Sequence, residues 1–211
     1  MESLYKGFEE FRMAKVKLNP DLFYLERLNL VPSRIVDGFS CGADSNVKDI
    51  DEFFKSKAVQ YESELLWKSY CLRTFQTNHK SKIVAAFTLS NAQIPSNEQT
   101  QKNVSKRFRF YPAILIGQLG VDMHYSGNGV GSFILNFVKM FFLDPQNKSG
   151  CRFIIVDALA DKIRFYQKND FKFVFETEDS EKEAKQLKTR APLRTRMMYF
   201  DLLTLKQVVS N

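Results

Sequence analysis

Between Ser45 and Glu62, apolar side chains fall at Val47, Ile50, Phe54, Ala58 and Tyr61, steps of three and four that line one face of a helix. Asn46 with Asp49 three residues on is a candidate capping box. The period then shortens: Trp67 to Phe75 and Ile83 to Leu89 predict strands, and the polar Thr77-Asn78-His79-Lys80-Ser81 between them predicts the turn of an antiparallel hairpin. From Pro95 to Arg107 apolar residues give way to Ser, Asn, Gln and Lys, the composition of an exposed loop. Tyr111 to Val121 carries a near-continuous apolar run and predicts a strand buried on both faces. Val130, Phe133, Ile134, Phe137, Val138, Phe141 and Phe142 form a broad helical stripe that ends near Asp144-Pro145. Arg152 to Leu159 reads as another buried strand, followed by a short helix around Ile163 to Lys168, a turn at Asn169-Asp170 and a strand from Phe171 to Phe175. Strand, loop, helix and strand in this order predict a right-handed crossover. Glu176 to Arg190 is charged and almost without apolar residues, predicting a mobile loop, and Arg196 to Leu203 is the last strand.

Composition narrows the class. At 211 residues the chain can bury a large core, and the reading is one domain over 1–211 with exposed loop insertions at about 95–107 and 176–190. Hydrophobic residues at 44% and charged residues at 26% are ordinary for a globular protein, and twenty Phe predict an aromatic core. A net charge of +7 draws in anions such as nucleotide phosphates, RNA or acidic surfaces without choosing among them. Cys41, Cys71 and Cys151 are far apart and odd in number, which suits a reduced cytoplasmic setting. Met1-Glu2-Ser3-Leu4-Tyr5-Lys6 lacks the order of a secretory signal, and no apolar run approaches the roughly 18 residues that span a bilayer, so no membrane partner is expected. With His79 and His124 the only histidines, no metal is expected either.

The chemistry concentrates at Tyr125-Ser126-Gly127-Asn128-Gly129-Val130-Gly131. A buried strand feeding a glycine-rich turn that opens a helix presents unpaired backbone N–H groups at the positive end of the helix dipole, an anion site. Glycines let a phosphate approach without a Cβ in the way. A Walker loop would need Gly-Lys-Ser/Thr, and Gly129-Val130-Gly131-Ser132 has no lysine. A Rossmann fingerprint would open a βαβ unit, whereas this loop follows an antiparallel region. A glycine cluster alone is more often a plain turn; its flanking strand and helix, in the correct order, favour a ligand loop.

Leu119-Gly120-Val121-Asp122, then Ser126-Gly127-Asn128-Gly129-Val130-Gly131, then Ser132-Phe133-Ile134-Leu135 resembles the signature of the GNAT acetyltransferase superfamily, with Ser126 where the family usually has Arg or Gln. A second element, Asp157-Ala158-Leu159 leading into Phe165-Tyr166-Gln167-Lys168-Asn169-Asp170-Phe171, is similar to the family's Phe-Tyr-Glu-Lys-Asn-Gly-Phe, with Asp170 in place of the glycine. Asp tolerates a left-handed turn. The resemblance implies the GNAT fold: α/β with a mixed sheet of about six to seven strands, helices on both faces, and a central strand splayed at the acetyl-CoA site. It implies acetyl-CoA as co-substrate, bound by Leu119, Gly120, Val121, Ser126, Gly127, Asn128, Gly129, Val130, Gly131 and Ser132. It also makes Tyr166 the acid that protonates the departing thiolate after direct attack by a primary amine, while backbone N–H groups at the strand's end hold the oxyanion. Without the resemblance, Tyr166 would read as a core aromatic beside Phe165 and Phe171. The base stays open among Asp122, Gln118 and a water chain.

Phe39-Ser40-Cys41-Gly42 followed by Ile50-Asp51-Glu52-Phe53-Phe54 resembles one GNAT branch, which includes bacterial toxins that acetylate the α-amine of aminoacyl-tRNA. That resemblance leaves the acceptor open among small molecules, proteins and aminoacyl-tRNA, and admits an antitoxin partner and a homodimer. The alternative from another class is a GNAT-fold module that binds acyl-CoA without turnover. Lys182, Lys185, Lys188, Arg190, Arg194 and Arg196 form a basic run that reads first as a solvated surface and second as an RNA contact. His124 reads as an exposed turn residue beside the loop, and Cys151 as inert packing.

Overall fold

The computed structural model of the chain describes residues 23–74, 81–101, 107–144, 146 and 150–209. Its strands are β1 (Phe23–Arg27), β2 (Lys68–Thr74), β3 (Ile83–Pro95), β4 (Phe110–Val121), β5 (Phe153–Leu159), β6 (Lys172–Phe173) and β7 (Thr195–Asp201). They form one mixed sheet of order β1-β2-β3-β4-β5-β7-β6. The helices are α1 (Ser33–Asp37), α2 (Ser45–Glu52), α3 (Ala58–Ser63), α4 (Val130–Leu143), α5 (Ile163–Lys168), α6 (Glu178–Ala184) and α7 (Leu203–Val209). Two compact units share these elements: the described part of Met1–Ser90 with Ile116–Phe141, and the described part of Asn91–Leu115 with Phe142–Asn211.

In the first unit the predicted hairpin is present, with β2 antiparallel to β3 and β1 antiparallel to β2. Residues 77–80 of the turn predicted over 77–81, and Phe75 before it, lie outside the described residues. Successive strand residues face opposite ways. Cys71 and Ala86, a cross-strand pair, join a buried cluster with Leu28, Val36, Phe39, Phe53, Phe54 and Ala58 from the helical side. Tyr70 and Phe87, the next pair, stack on each other at 5.4 Å, and Phe87 meets Phe137 of α4 at 6.2 Å. Helices therefore cover both faces of this part of the sheet. The stripe from Val47 to Tyr61 is helical as its period predicts, but Phe53–Lys57 is π-helical and joins α2 to α3. That wider turn lies among rings: Phe53 contacts Phe54, Tyr61 and Trp67 at 5.4, 5.6 and 5.1 Å. Each such pair adds about 0.5–1.5 kcal/mol beyond its buried area. The carbonyl of Asp44 accepts the first helical bonds, from Val47 and Lys48; the side chain of Asn46 lies outside the described residues.

In the second unit β4 and β5 run parallel, pairing Ala113–Leu115 with Phe153–Ile155. β4 runs on to Val121 and β5 to Leu159. β7 lies between β5 and β6 and is antiparallel to both. The core holds Ile94, Tyr111, Ala113, Phe153, Ile155, Val174 and Tyr199.

Three segments depart from the pattern. Residues 96–101 make an ordered turn instead of an exposed loop: Thr100, fully buried, donates to the Pro95 carbonyl at 2.9 Å, and the Asn97 amide donates to the Val174 carbonyl at 2.7 Å. Residues 102–106 of the expected loop, and Pro145 at the expected helix end, lie outside the described residues. The strand predicted for Phe171–Phe175 shrinks to Lys172–Phe173, because the Phe171 N–H goes to the Tyr166 carbonyl at 3.0 Å.

The largest departure is α6, where the charge run predicted a mobile loop. Thr177 caps it in a reciprocal box with Ser180, at 3.1 and 3.3 Å. Its buried face is one carboxylate. Glu181, with no exposed surface, accepts from Lys185 Nζ at 2.8 Å, Arg196 Nε at 2.6 Å and Met197 N at 2.8 Å. Burial alone would raise this carboxyl, but those three bonds outweigh it and hold the group below the usual carboxylate range.

Candidate active site

β4 delivers its last residues to the glycine loop. Gln118 N–H is satisfied by the Thr88 hydroxyl at 2.9 Å, and Leu119, Gly120 and Val121 close the strand. Gly120 is buried, and a Cβ built there would lie 2.6 Å from Cys41 Sγ, 2.9 Å from Ile50 Cγ2 and 3.3 Å from Phe39 Cζ. The residue is glycine because the Phe39–Cys41 segment occupies the side-chain space. The turn begins with Asp122, whose N–H reaches the Val84 carbonyl at 2.9 Å, and Tyr125 N–H returns to the Asp122 carbonyl at 2.9 Å.

Gly127 at φ 76° and Gly129 at φ 84° both adopt the left-handed region. Nothing lies within 4 Å of where a Gly127 Cβ would be, so the backbone here is open to an approaching group. Asn128 stitches the turn, its amide donating to the carbonyls of Tyr125 and Ser126 at 3.3 and 3.2 Å. Phe133 N–H makes an early helical bond, to Gly129 O at 3.0 Å, as α4 opens. The N–H groups before it are those that a helix leaves without intrahelical partners. Two left-handed glycines, with open space beside Gly127, precede the first turn of a 14-residue helix, an arrangement that an anionic group can approach. Ser126 is exposed; Val130 is buried as the first core residue of α4, and Gly131 and Ser132 are half-buried.

Tyr166 belongs to the second unit. It lies in α5, edge-to-face with Phe165 and Phe171 at 5.0 and 5.6 Å. The turn behind it is set by Asn169, whose amide donates to the Phe165 carbonyl at 2.8 Å, and by Asp170 at φ 66° in the position where the family motif has glycine. Burial pushes the Tyr166 hydroxyl up to about 12. The same desolvation lifts the Cys71 thiol to about 12 and, against two backbone hydrogen bonds, Cys151 to about 11, so both stay neutral.

Other candidates resolve differently. Asp122, 7% exposed, accepts from Ser40 N at 3.3 Å, from His124 N at 3.0 Å and through its contact with His124 Nδ1 at 2.9 Å. His124 itself is exposed. Members of the basic run are occupied internally: Lys182 faces Glu178 and Asp179, Lys185 bridges Glu181 and Asp157, and Arg196 holds Glu181 and lies over the Phe173 ring. Sequence patterns pointed to none of Ser40, Asp51, Thr88 and Glu181 as organising side chains. Lys185 is only four residues after Glu181, but most of their partners lie ten or more positions along the chain, so little local spacing marks them. Among the described residues no group of His, Cys, Asp and Glu is placed to hold a metal ion, and no helix is long and apolar enough to cross a membrane.

No protein-family model and no curated protein matches the chain. Solved structures do. A tyrosine-to-phenylalanine mutant of KacT superposes with a TM-score of 0.66 at 16% identity, over 89% of this chain and 99% of that one. AtaT complexed with acetyl-methionyl-tRNAfMet gives 0.64 at 17%, over 89% and 99%. A mutant AtaT toxin bound to acetyl-CoA and to the C-terminus of the antitoxin AtaR gives 0.56 at 14%, over 90% and 99%. At these identities the likeness establishes the architecture: the chain has the mixed α/β GNAT fold of KacT and AtaT.

Proposed function

We propose that the chain is an acetyl-CoA-dependent N-acetyltransferase that acylates a primary amine by direct attack. The observation that carries the reading is the cradle of Gly127 and Gly129, both left-handed, between the end of β4 and the start of α4. Leu119, Gly120 and Val121 hold the pantetheine arm, and Ser126 to Ser132 hold the pyrophosphate through backbone N–H groups. An incoming neutral amine forms the C–N bond, and N–H groups at the end of β4 take the charge on the thioester oxygen. The C–S bond then breaks, and Tyr166 gives its proton to the sulfur. A hydroxyl raised to about 12 is a weak acid, but the burial that raises it also raises the basicity of a thiolate placed beside it, which keeps the two matched.

Among acceptors, the α-amine of an aminoacyl-tRNA is favoured by the fold shared with AtaT complexed with acetyl-methionyl-tRNAfMet and by the net charge of +7. The same likeness, to an AtaT bound to the C-terminus of its antitoxin AtaR, favours an antitoxin partner. The test is release of free coenzyme A thiol from acetyl-CoA in the presence of aminoacyl-tRNA, polyamines and peptides. Tyr166→Phe should lower kcat about 100-fold and leave acetyl-CoA affinity unchanged. Thiol release with none of these amines would instead support a non-catalytic acyl-CoA-binding module, and full activity in Tyr166→Phe would remove the acid assignment.

A further inference from the structure

Ser40 is gripped from two sides. Its backbone pairs with the residues after β4: Ser40 N donates to Asp122 Oδ2 at 3.3 Å, and Met123 N donates to Ser40 O at 2.8 Å. Its hydroxyl donates to Asp51 Oδ2 at 2.9 Å, and Cys41 N donates to Asp51 Oδ1 at 2.8 Å. Asp51 lies on α2, so that helix, the Phe39–Gly42 segment and the strand's end are tied in sequence. The tie is tightest at Gly120, where only a hydrogen leaves room for Cys41 Sγ and Ile50. Both carboxylates are buried, and Asp122 is met by Ser40 N, His124 N and His124 Nδ1. The groups that face this carboxylate are thus two backbone N–H groups and an imidazole, with the Cys41 thiol and Asp51 behind Ser40.

Resting on the acetyl-transfer reading, we infer that Asp122, Ser40 and Asp51 form a clip that fixes the thioester-binding end of β4, and that Asp122 is a positioning residue and not the base that deprotonates the amine. Three internal donors take most of the roughly four lone-pair sites of this buried carboxylate, and two of the three are backbone N–H groups that it orients; a base needs a lone pair turned to the substrate. The clip sets where the N–H groups of Leu119 to Val121 point, and a shift of about 1 Å there costs on the order of 100-fold in rate.

The experiment compares the whole chain with Asp122→Asn, Asp122→Ala and Gly120→Ala, by kcat, KM for acetyl-CoA, the pH profile, and amide hydrogen exchange over residues 39–42 and 119–123 without ligand. The single Asn oxygen can keep the His124 N–H bonds, while the bond from Ser40 N is lost and Met123 N still holds Ser40 O, so Asp122→Asn should lose about 10-fold in kcat with both limbs of the pH profile in place, and Asp122→Ala about 100-fold with rapid exchange at Ser40 and Met123. Gly120→Ala keeps the carboxylate but displaces Cys41, and should reproduce the kcat loss and the rapid exchange with both limbs of the pH profile in place. The clip is overturned if Asp122→Asn is as slow as Asp122→Ala and has lost a limb of the profile, or if Gly120→Ala leaves rate and exchange unchanged. Should Asp122→Ala not fold, the Asn and Gly120→Ala variants decide. If the wild-type chain neither binds nor turns over acetyl-CoA, the acetyl-transfer reading fails by itself, and the exchange data still decide the clip.

Discussion

Asp122 and Glu181 are both buried carboxylates, and each organises its own unit, yet their partners differ in kind. Asp122 is met by two backbone N–H groups and an imidazole. Glu181 is met by Lys185, Arg196 and the Met197 N–H, and Lys185 continues to Asp157. Backbone N–H donors give direction, which suits a group that must orient a strand's end. Paired cations compensate the desolvation of a full charge, which suits a group that must pin a helix whose sole apolar residue is Ala184. One carboxylate therefore governs geometry near the glycine loop, while the other governs whether α6 is folded.

The contrast can be broken most directly at Glu181. Replacing it with Ala strands Arg196 and Lys185 and should cost about 3 kcal/mol in urea unfolding; a loss well under 1 kcal/mol would mean that α6 is held by something else. Next in size is the cap. Thr177→Ala removes one of the two bonds of the reciprocal box and should cost about 1 kcal/mol, measured in the same unfolding series. Acid sharpens the comparison further. The folded Glu181 carboxyl is lowered relative to the unfolded chain, so its contribution is present above the unfolded value of about 4.3 and is lost as pH falls through the folded value. Thermal melts should therefore show wild type losing more stability than Glu181→Gln below about pH 4; parallel acid profiles would argue against the ion network. The smallest effect belongs to Asp170→Gly, which relieves a left-handed non-glycine residue and should stabilise by at most about 1 kcal/mol.

The same contrast explains what could be read in advance. The glycine loop, the stripe of α4 and the Phe165–Phe171 turn are local: their signals are spacing and conformational demand, both visible in consecutive residues. The cross-chain pieces were invisible. Ser40 and Asp122 are 82 positions apart, and Glu181 meets Arg196 across 15. The charge run at Glu176–Arg190 looked unstructured because apolar periodicity marks most helices, and α6 buries a satisfied carboxylate in place of a leucine. Thr177 followed by Ser180 was the available cue, and its three-residue spacing is that of an N-terminal cap. Gly120 carried a cue too, but its reason lies with Cys41, brought there by the fold.

The central claim is that the left-handed glycines form a coenzyme cradle, and calorimetric titration of acetyl-CoA into the wild-type chain and Gly127→Val tests it most directly. The predicted result is saturable binding by wild type, weakened at least about 10-fold in Gly127→Val, because a β-branched residue at φ 76° is strained by 1–3 kcal/mol and its side chain fills the open approach. Equal affinity in a folded variant, or no saturable binding by wild type, would contradict it.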